Sequence, residues 1–147
     1  MPRYSANEQS LGPSRLLAFR LGGTAQLPAA TPLVAFPKPP LPPPAADLAG
    51  KGEVLFSAYA CDYCHGPKAE RLGMSVPDLR KASKDTHVQF AGIVIGGVRA
   101  FKGMPAFHDM PIGDVEAIRA FTLSEAWAAY DAQQTGRANQ ESIKGKP

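Results

Sequence analysis

The feature that most constrains this chain is the pentapeptide of residues 61–65, which reads Cys-Asp-Tyr-Cys-His. On a helix, residues i, i+3 and i+4 share one face, so the thiols of Cys61 and Cys64 and the imidazole of His65 would point in one direction. Two thiols at this spacing can add to the two vinyl groups on one edge of a porphyrin, while the histidine reaches the iron. The pentapeptide therefore predicts one covalently attached haem, with His65 as the proximal ligand.

Other uses of a Cys-x-x-Cys pair fit the rest of the sequence less well. A tetrahedral zinc site needs four ligands, and beyond the pentapeptide the chain offers His87, His108 and carboxylates but no second paired motif. A thioredoxin-like redox pair opens a helix directly after a strand, and no strand pattern lies immediately before Cys61. Zinc, a redox pair and chance stay as alternatives, and haem attachment is favoured.

Composition and charge indicate linkers around one modest domain. The 147 residues include 15 prolines and 14 glycines, more than a compact helical domain of this size uses. The net charge is +3, with the positive excess in residues 1–46 and 133–147, while residues 47–132 are slightly acidic. This is not the charge pattern of a protein that binds nucleic acid.

No targeting signal or membrane span is visible in the sequence. The longest early apolar run, residues 16–19, is bracketed by Arg15 and Arg20 and is too short for either. Haem attachment of this kind is associated with export, so we expect a periplasmic location. The missing signal suggests that Met1 opens a fragment or a processed or separately expressed piece; alternatively, a partner carries the chain across.

Four segments are predicted from composition. Residues 1–36 contain one strand pattern, at 14–23, which ends in a Gly-Gly turn and needs a sheet from outside or stays disordered. Residues 37–46 are predicted to be a semi-rigid polyproline spacer, with a ligand for a proline-recognition domain as the alternative. Residues 47–132 form the compact domain, and residues 133–147 form a polar tail that we expect to be disordered.

The compact domain is predicted to be all-α, with three main helices. Asp47 would cap the first, over 48–60; Asp85 or Thr86 would begin the second, ending near Ile95; Asp114 would cap the last, ending near Tyr130. The apolar face of the first helix contains Leu48, Leu55, Phe56 and Tyr59, and Gly52 on that side leaves room for another helix to approach closely. The second helix has two possible apolar faces, one with Val88, Gly92 and Ile95 and the other with Phe90, Ile93 and Val94. The inward face of the last helix contains Val115, Ile118, Phe121 and Thr122.

The loop over 66–84 contains three further candidates for the haem environment. Pro77 places a carbonyl where it could accept the ring N–H of His65, a contact that orients a ligand histidine. Leu79 could cover a haem face and Arg80 could meet a propionate; an ordinary loop with a solvated arginine is the alternative.

Five residues could supply the sixth iron ligand: Met74, Met104, Met110, His87 and His108. A methionine more often fills a core than binds metal, so position has to decide. Met104 follows one intervening helix and lies in a Gly-Met-Pro turn, where the proline disfavours helix. Met110 also precedes a proline and is the main competitor; ligation by a histidine or an open sixth position stays as a further alternative. Ligation by His65 and Met104 would raise the reduction potential and close the iron to other ligands, which favours electron transfer over oxygen chemistry.

The combination of Cys-x-x-Cys-His, Pro-Asp-Leu and Gly-Met-Pro between two amphipathic helices resembles the class I c-type cytochromes over residues 47–130. In that family the first and last helices cross at a glycine and aromatic residues, which here implies Gly52 and Phe56 against Phe121. The resemblance implies a helical fold around one covalent haem c.

A closer resemblance is to quinohaemoprotein alcohol dehydrogenases. Residues 14–23 are similar to the end of their propeller, and the proline-rich linker and the stretches 78–80, 93–97 and 114–121 are similar to their haem domain. The propeller that binds pyrroloquinoline quinone and calcium is absent, so no alcohol-oxidising residue carries over.

This resemblance implies an electron carrier rather than an enzyme in its own right, whether as a fragment or as a subunit of such a dehydrogenase. It would take single electrons from the reduced quinone and pass them to a soluble cytochrome, a copper protein or an oxidase. An apolar wall from Leu55, Leu79, Val94 and Phe101 would keep water from the haem. A stand-alone soluble carrier is the alternative, followed by a ligand-binding haem sensor or enzyme.

Overall fold

The computed structural model describes residues 20–24, 26, 35–70 and 76–144, with side chains up to residue 138. The chain divides into two units, residues 1–35 and 36–147. In the first unit, residues 20–23 form a turn in which the Gly23 N–H donates to the Arg20 carbonyl at 3.0 Å. Residues 14–19 of the predicted strand over 14–23 lie outside the described residues. Its Gly22-Gly23 end lies in this turn.

The second unit is helical, and its described residues contain no strand. Its α-helices are α1 (Ala46–Ala58), α2 (Asp62–His65), α3 (Lys84–Val88), α4 (Phe90–Val94) and α5 (Ile112–Lys144), with short 3₁₀ turns at Leu79–Lys81 and Ala100–Lys102. The all-α architecture expected from the sequence is therefore what forms.

The core lies where α1 crosses α5. Gly52 is buried in α1, and a Cβ added there would overlap the carbonyl oxygen of Ala117. The rings of Phe56 and Phe121 pack at 5.2 Å between centroids with a 55° tilt. A glycine at the closest point lets the two backbones approach, and the aromatic pair fills the space beside it. This is the crossing that the resemblance implied.

The start of α1 differs from the expectation. The helix begins two residues before the predicted position: Ala45 is the N-cap, with no side-chain hydrogen bond, and Asp47 lies in the first turn. A carboxylate there still favours the helix through its interaction with the macrodipole. Leu48, expected on the buried face, is 39% exposed.

The predicted second helix is two helices separated by Gln89. Ser83 caps α3, since its hydroxyl accepts the Thr86 N–H at 3.2 Å, so the cap lies before the two residues that we expected. Of the two apolar faces considered, the one with Phe90 is buried, together with Ile93 and Val94. Val88, on the other face, is 74% exposed.

The last helix is longer than predicted at both ends. It begins at Ile112, and the Asp114 carboxylate accepts hydrogen bonds from the Lys51 ammonium at 3.0 Å and the Tyr59 hydroxyl at 3.2 Å. The expectation of a disordered tail from residue 133 was wrong as far as Lys144, because the helix continues to that residue. Two of its residues, Trp127 and Gln133, form hydrogen bonds with residues 36–41, which composition does not reveal.

Candidate haem site

The chain enters the pentapeptide through a Schellman motif at the end of α1. The Cys61 N–H donates to the Phe56 carbonyl and the Ala60 N–H to the Ser57 carbonyl, each at 2.9 Å. Ala60 has a φ of +56°, in the left-handed region that glycine usually occupies at this position. This reversal ends the helix and starts the next turn at Cys61.

The pentapeptide folds as one helical turn, as the one-face argument requires. Cys61 is the N-cap of α2, and its carbonyl accepts the His65 N–H at 3.0 Å and the Cys64 N–H at 3.3 Å. Both cysteines are free thiols, Cys61 half-buried and Cys64 exposed. Burial, followed by the charge of Asp62, raises the pKa of Cys61 to about 11, so the thiol carries its proton at neutral pH.

His65 is buried, and its environment suits a neutral imidazole. Burial lowers the pKa of His65, while the backbone of Pro77 acts in the opposite direction and raises it. The Nδ1 atom is buried and has no hydrogen bond of ordinary geometry. Pro77 therefore lies near this ring, and its role in orienting His65 stays a prediction.

The segment around Pro77 is fixed by charged side chains. The Asp78 carboxylate accepts two hydrogen bonds from the Arg80 guanidinium, each at 2.9 Å, and Nη1 of Arg80 lies 3.7 Å from the buried Glu70 carboxylate. The Leu79 N–H donates to the Ala69 carbonyl at 3.0 Å, and this hydrogen bond holds Leu79 next to Ala69. Arg80 is therefore no solvated loop arginine. The propionate contact stays a prediction.

Met104 lies on the same core as the pentapeptide. It follows Gly103, whose φ of +90° turns the chain, and its half-buried side chain packs on the core cluster, as do Cys61 and Leu79. The Phe107 N–H donates to the Val94 carbonyl at 2.8 Å, which ties this loop to the end of α4.

The competing ligands have different surroundings. Met110 is 5% exposed and belongs to the core cluster itself. His87 is 4% exposed with both ring nitrogens buried and unpartnered, and His108 is exposed. Met74 lies outside the described residues.

The predicted apolar wall forms in part. Leu55 and Leu79 are half-buried against the core and Val94 is 5% exposed within it. Phe101 is 81% exposed and has Lys102 as its neighbour, with 5.6 Å between the ammonium and the ring centroid. Three of the four residues thus line the core side.

These residues fit a covalent haem better than the alternatives. Two free thiols and an imidazole with an unsatisfied Nδ1 occupy one helical turn, and a thioether packs on the same core. Within the described ranges, no group of three or more His, Cys, Asp or Glu side chains could hold a metal ion, so zinc gains no support. No strand precedes Cys61 there to support a thioredoxin-like pair.

Sequence reasoning missed two residues near the site. Glu70 is 5% exposed beside Arg80, although nothing in its sequence context marks a buried acid. Ala60 adopts the left-handed conformation without the glycine that would have signalled it. The signal available for Ala60 was only its place between a helix and the pentapeptide.

Comparison with known proteins gives a consistent result. The protein family described as cytochrome c oxidase, cbb3-type, subunit III matches residues 47–122. Lupanine 17-hydroxylase (cytochrome c) of a Pseudomonas species is 46% identical over 135 residues, covering 92% of this chain and 19% of that protein. Quinohemoprotein alcohol dehydrogenase ADH-IIG of Pseudomonas putida is 36% identical over 124 residues, covering 84% of this chain and 16% of that protein. The chain thus spans under a fifth of either relative.

The structural comparison agrees. The solved structure of quinohemoprotein alcohol dehydrogenase ADHIIG from Pseudomonas putida HK5 matches with a TM-score of 0.56 at 36% identity, over 74% of this chain and 16% of that one. The all-α, class I cytochrome c-like fold is confirmed. Among the described residues, no helix is both long and apolar enough to cross a membrane.

Proposed function

The chain belongs to the c-type cytochrome family described as cytochrome c oxidase, cbb3-type, subunit III, and we propose that it passes single electrons from a reduced quinone centre of a dehydrogenase to a periplasmic acceptor. The observation that carries this proposal is the helical turn of residues 61–65, which presents two free thiols beside a buried His65, next to the core on which Met104 packs. Domains of this family bind haem c covalently, and its iron gains and loses one electron at a time.

Each side chain of the site has a distinct role in this proposal. Cys61 and Cys64 would hold the haem through thioethers, and His65 and Met104 would bind its iron. Ligation by the same two residues in both oxidation states keeps rearrangement small, and a thioether ligand favours the reduced iron and raises the potential. The carbonyl of Pro77 would orient His65, Leu79 would shield the haem, and Arg80, which contacts Asp78 beside Pro77, would meet a propionate.

The donor is inferred from the relatives. Those named above are a quinohemoprotein alcohol dehydrogenase and a hydroxylase with cytochrome c in its name, and in each this chain matches only a small share of the length. We infer that the donor is a pyrroloquinoline quinone centre in a dehydrogenase domain or subunit. A reduced quinone gives up two electrons, so a single haem would have to accept them one at a time and pass the first to the acceptor before it takes the second.

The experiment that tests the donor uses the full haem-loaded chain. The oxidised chain is mixed with a quinone-dependent alcohol dehydrogenase and its alcohol, and haem reduction is followed by absorbance. We expect reduction that depends on both enzyme and alcohol. If ascorbate reduces the haem but the dehydrogenase with its alcohol does not, the donor assignment is contradicted. The haem assignment would then stay intact.

A stand-alone electron carrier is the second candidate, because residues 36–147 form a unit separate from residues 1–35. Limited proteolysis that removes residues 1–35 distinguishes the two. The dehydrogenase assignment predicts slower reduction by the dehydrogenase after cleavage. An unchanged rate would favour the stand-alone carrier.

A further inference from the structure

The proline-rich segment begins with a docked aromatic residue. Phe36 is 8% exposed, and its ring lies beneath two cations of the 3₁₀ turn, 4.9 Å from the guanidinium carbon of Arg80 and 4.7 Å from the ammonium of Lys81. Contacts of this kind favour an aromatic ring over an aliphatic side chain at the same place. A free spacer would leave Phe36 in solvent.

Two hydrogen bonds attach the segment to α5. The Phe36 N–H donates to Oε1 of Gln133 at 3.0 Å, and Nε1 of Trp127 donates to the Leu41 carbonyl at 2.9 Å. Both partners are distant in sequence, 97 and 86 residues away. The two bonds lie at opposite ends of residues 36–41, so the segment is held at both ends.

The chemistry of the segment explains why these partners suit it. Six of the nine residues at 36–44 are proline, so the segment has far fewer N–H donors than carbonyl acceptors. An extended proline-rich chain makes no hydrogen bonds of its own, and proteins that recognise such chains use aromatic surfaces. Trp127 supplies the N–H donor. Its ring packs edge to face with the ring of Tyr130, with 6.0 Å between the centroids.

We propose that the 3₁₀ turn 79–81 and the part of α5 from Trp127 to Gln133 form a recognition site for an extended proline-rich segment headed by an aromatic residue. The chain's own residues 36–41 occupy this site. The ligand class is set by three elements: cations for the leading aromatic ring, a side-chain amide oxygen for its N–H, and an indole N–H for a carbonyl five residues later.

The docking has a consequence for the cytochrome. It fixes the point at which the chain enters the helical unit, because the entry lies at Phe36 beside the 3₁₀ turn rather than at the start of α1. A tether held there gives whatever precedes it a shorter and stiffer connection than a free spacer of ten residues. The benefit for electron transfer rests on the proposed function, whereas the docking does not.

The single tryptophan of the chain makes this testable in the full, reduced, haem-loaded protein. Hydrogen exchange of the Trp127 indole N–H reports the Leu41 end by NMR, while the substitution Phe36→Ala removes the ring at the other end. If the segment docks as one piece, exchange should become about tenfold faster. Lys38→Ala, at an exposed position of the same segment, is the matched control and should leave exchange unchanged.

A second pair of variants tests the α5 side. Gln133→Ala removes the acceptor of the Phe36 N–H and should speed exchange of that amide severalfold, while Gln134→Ala, at the neighbouring half-buried position, should not. The haem absorption spectrum checks that each variant folds. Indole exchange equal in wild type and Phe36→Ala, or equal effects of Gln133→Ala and Gln134→Ala, would overturn the proposal. Neither measurement uses a dehydrogenase or an electron acceptor, so these results are independent of the proposed function.

Discussion

Met104 and Met110 each precede a proline, yet their surroundings separate a ligand from a core residue. Met104 is half-buried in a loop that starts at a left-handed glycine, and Met110 is 5% exposed within the core cluster. A thioether that has to reach an iron needs a position at the surface of the core rather than inside it. The structure thus supports Met104 as the proposed ligand by a criterion that the sequence lacks.

We expect Met104→Leu to open the iron and Met110→Leu to leave it closed. Leucine conserves volume but offers no sulfur, so the reduced Met104→Leu protein should bind carbon monoxide rapidly and have a lower reduction potential. Absorbance changes on adding carbon monoxide measure the first effect, and redox titration the second. Rapid binding by the wild type would instead favour the ligand-binding sensor.

His87 gives the protein a predicted weakness in acid. Burial, followed by the charge of Arg119, lowers the pKa of His87 from its ordinary value of 6.5, and both ring nitrogens lack partners. Below pH 6.5, His87 binds a proton in the unfolded chain while it stays neutral in the folded chain. Stability is therefore unaffected at high pH and falls as the pH drops, at a rate of at most about 1.4 kcal/mol per pH unit.

The substitution His87→Leu should remove this dependence. The apolar side chain leaves no unsatisfied polar atom, so we expect equal or greater stability at pH 8 and a flatter decline between pH 6.5 and 5. Denaturant unfolding of the haem-loaded proteins across this range measures it. Parallel stability curves for the two proteins would show that His87 does not titrate on unfolding.

At the level of elements, the crossing of α1 and α5 depends on Gly52 and not on Gly50, which lies two residues earlier in the same helix. A Cβ at Gly52 would overlap the backbone of Ala117 and come within 2.9 Å of Cβ of Phe121, whereas a Cβ at Gly50 would meet nothing within 4 Å. We expect Gly52→Ala to destabilise the protein by roughly 3 kcal/mol or more through overpacking. Gly50→Ala should stabilise it by about 0.5–1 kcal/mol through helix propensity.

Chemical denaturation of both variants measures this difference in sign. The pair is a matched test, because both substitutions add one methyl group to the same helix. Equal effects would mean that α1 can shift away from α5 without cost, and the crossing would then not determine how Cys61 is placed.

The sequence predicted the elements near the pentapeptide better than those far from it. Spacing alone placed Cys61, Cys64 and His65 in one helical turn, whereas the crossing at Gly52, Phe56 and Phe121 was implied by the family resemblance. Helix ends were missed where local signals compete: Ser83, Asp85 and Thr86 can all cap a helix, and only the hydrogen bond to Ser83 decides. Met104 and Met110 both precede a proline. Tertiary packing decides which of them enters the core, and no local sequence pattern encodes that packing.

The polar end of α5 shows why composition misled. Residues 133–144 have the composition of a disordered tail, but they continue a helix whose earlier turns are packed on the core. Extending an existing helix avoids the nucleation cost, so a weakly favourable sequence can follow. The contact of Gln133 with Phe36 joins two segments that look unstructured when each is considered alone.

At the scale of the whole molecule, the covalent haem should be part of the fold. In the proposed site, His65 and Met104 would both bind one iron, so the chain between them would be held at both ends in the folded protein. A ligand bond that forms only in the folded state stabilises that state, because metal binding is then coupled to folding. The two thioethers add a second attachment at α2.

We therefore expect the chain made without haem to be largely unfolded, with weak helical circular dichroism and no cooperative thermal transition. The haem-loaded Met104→Leu protein is the informative intermediate, since it keeps both thioethers and loses only the link to the loop after Gly103. Its melting temperature should lie below that of the wild type, while its helical signal at low temperature stays intact. A haem-free chain that melts cooperatively would show that the α1–α5 crossing suffices for folding, and the stabilising role of the haem would then have to be abandoned.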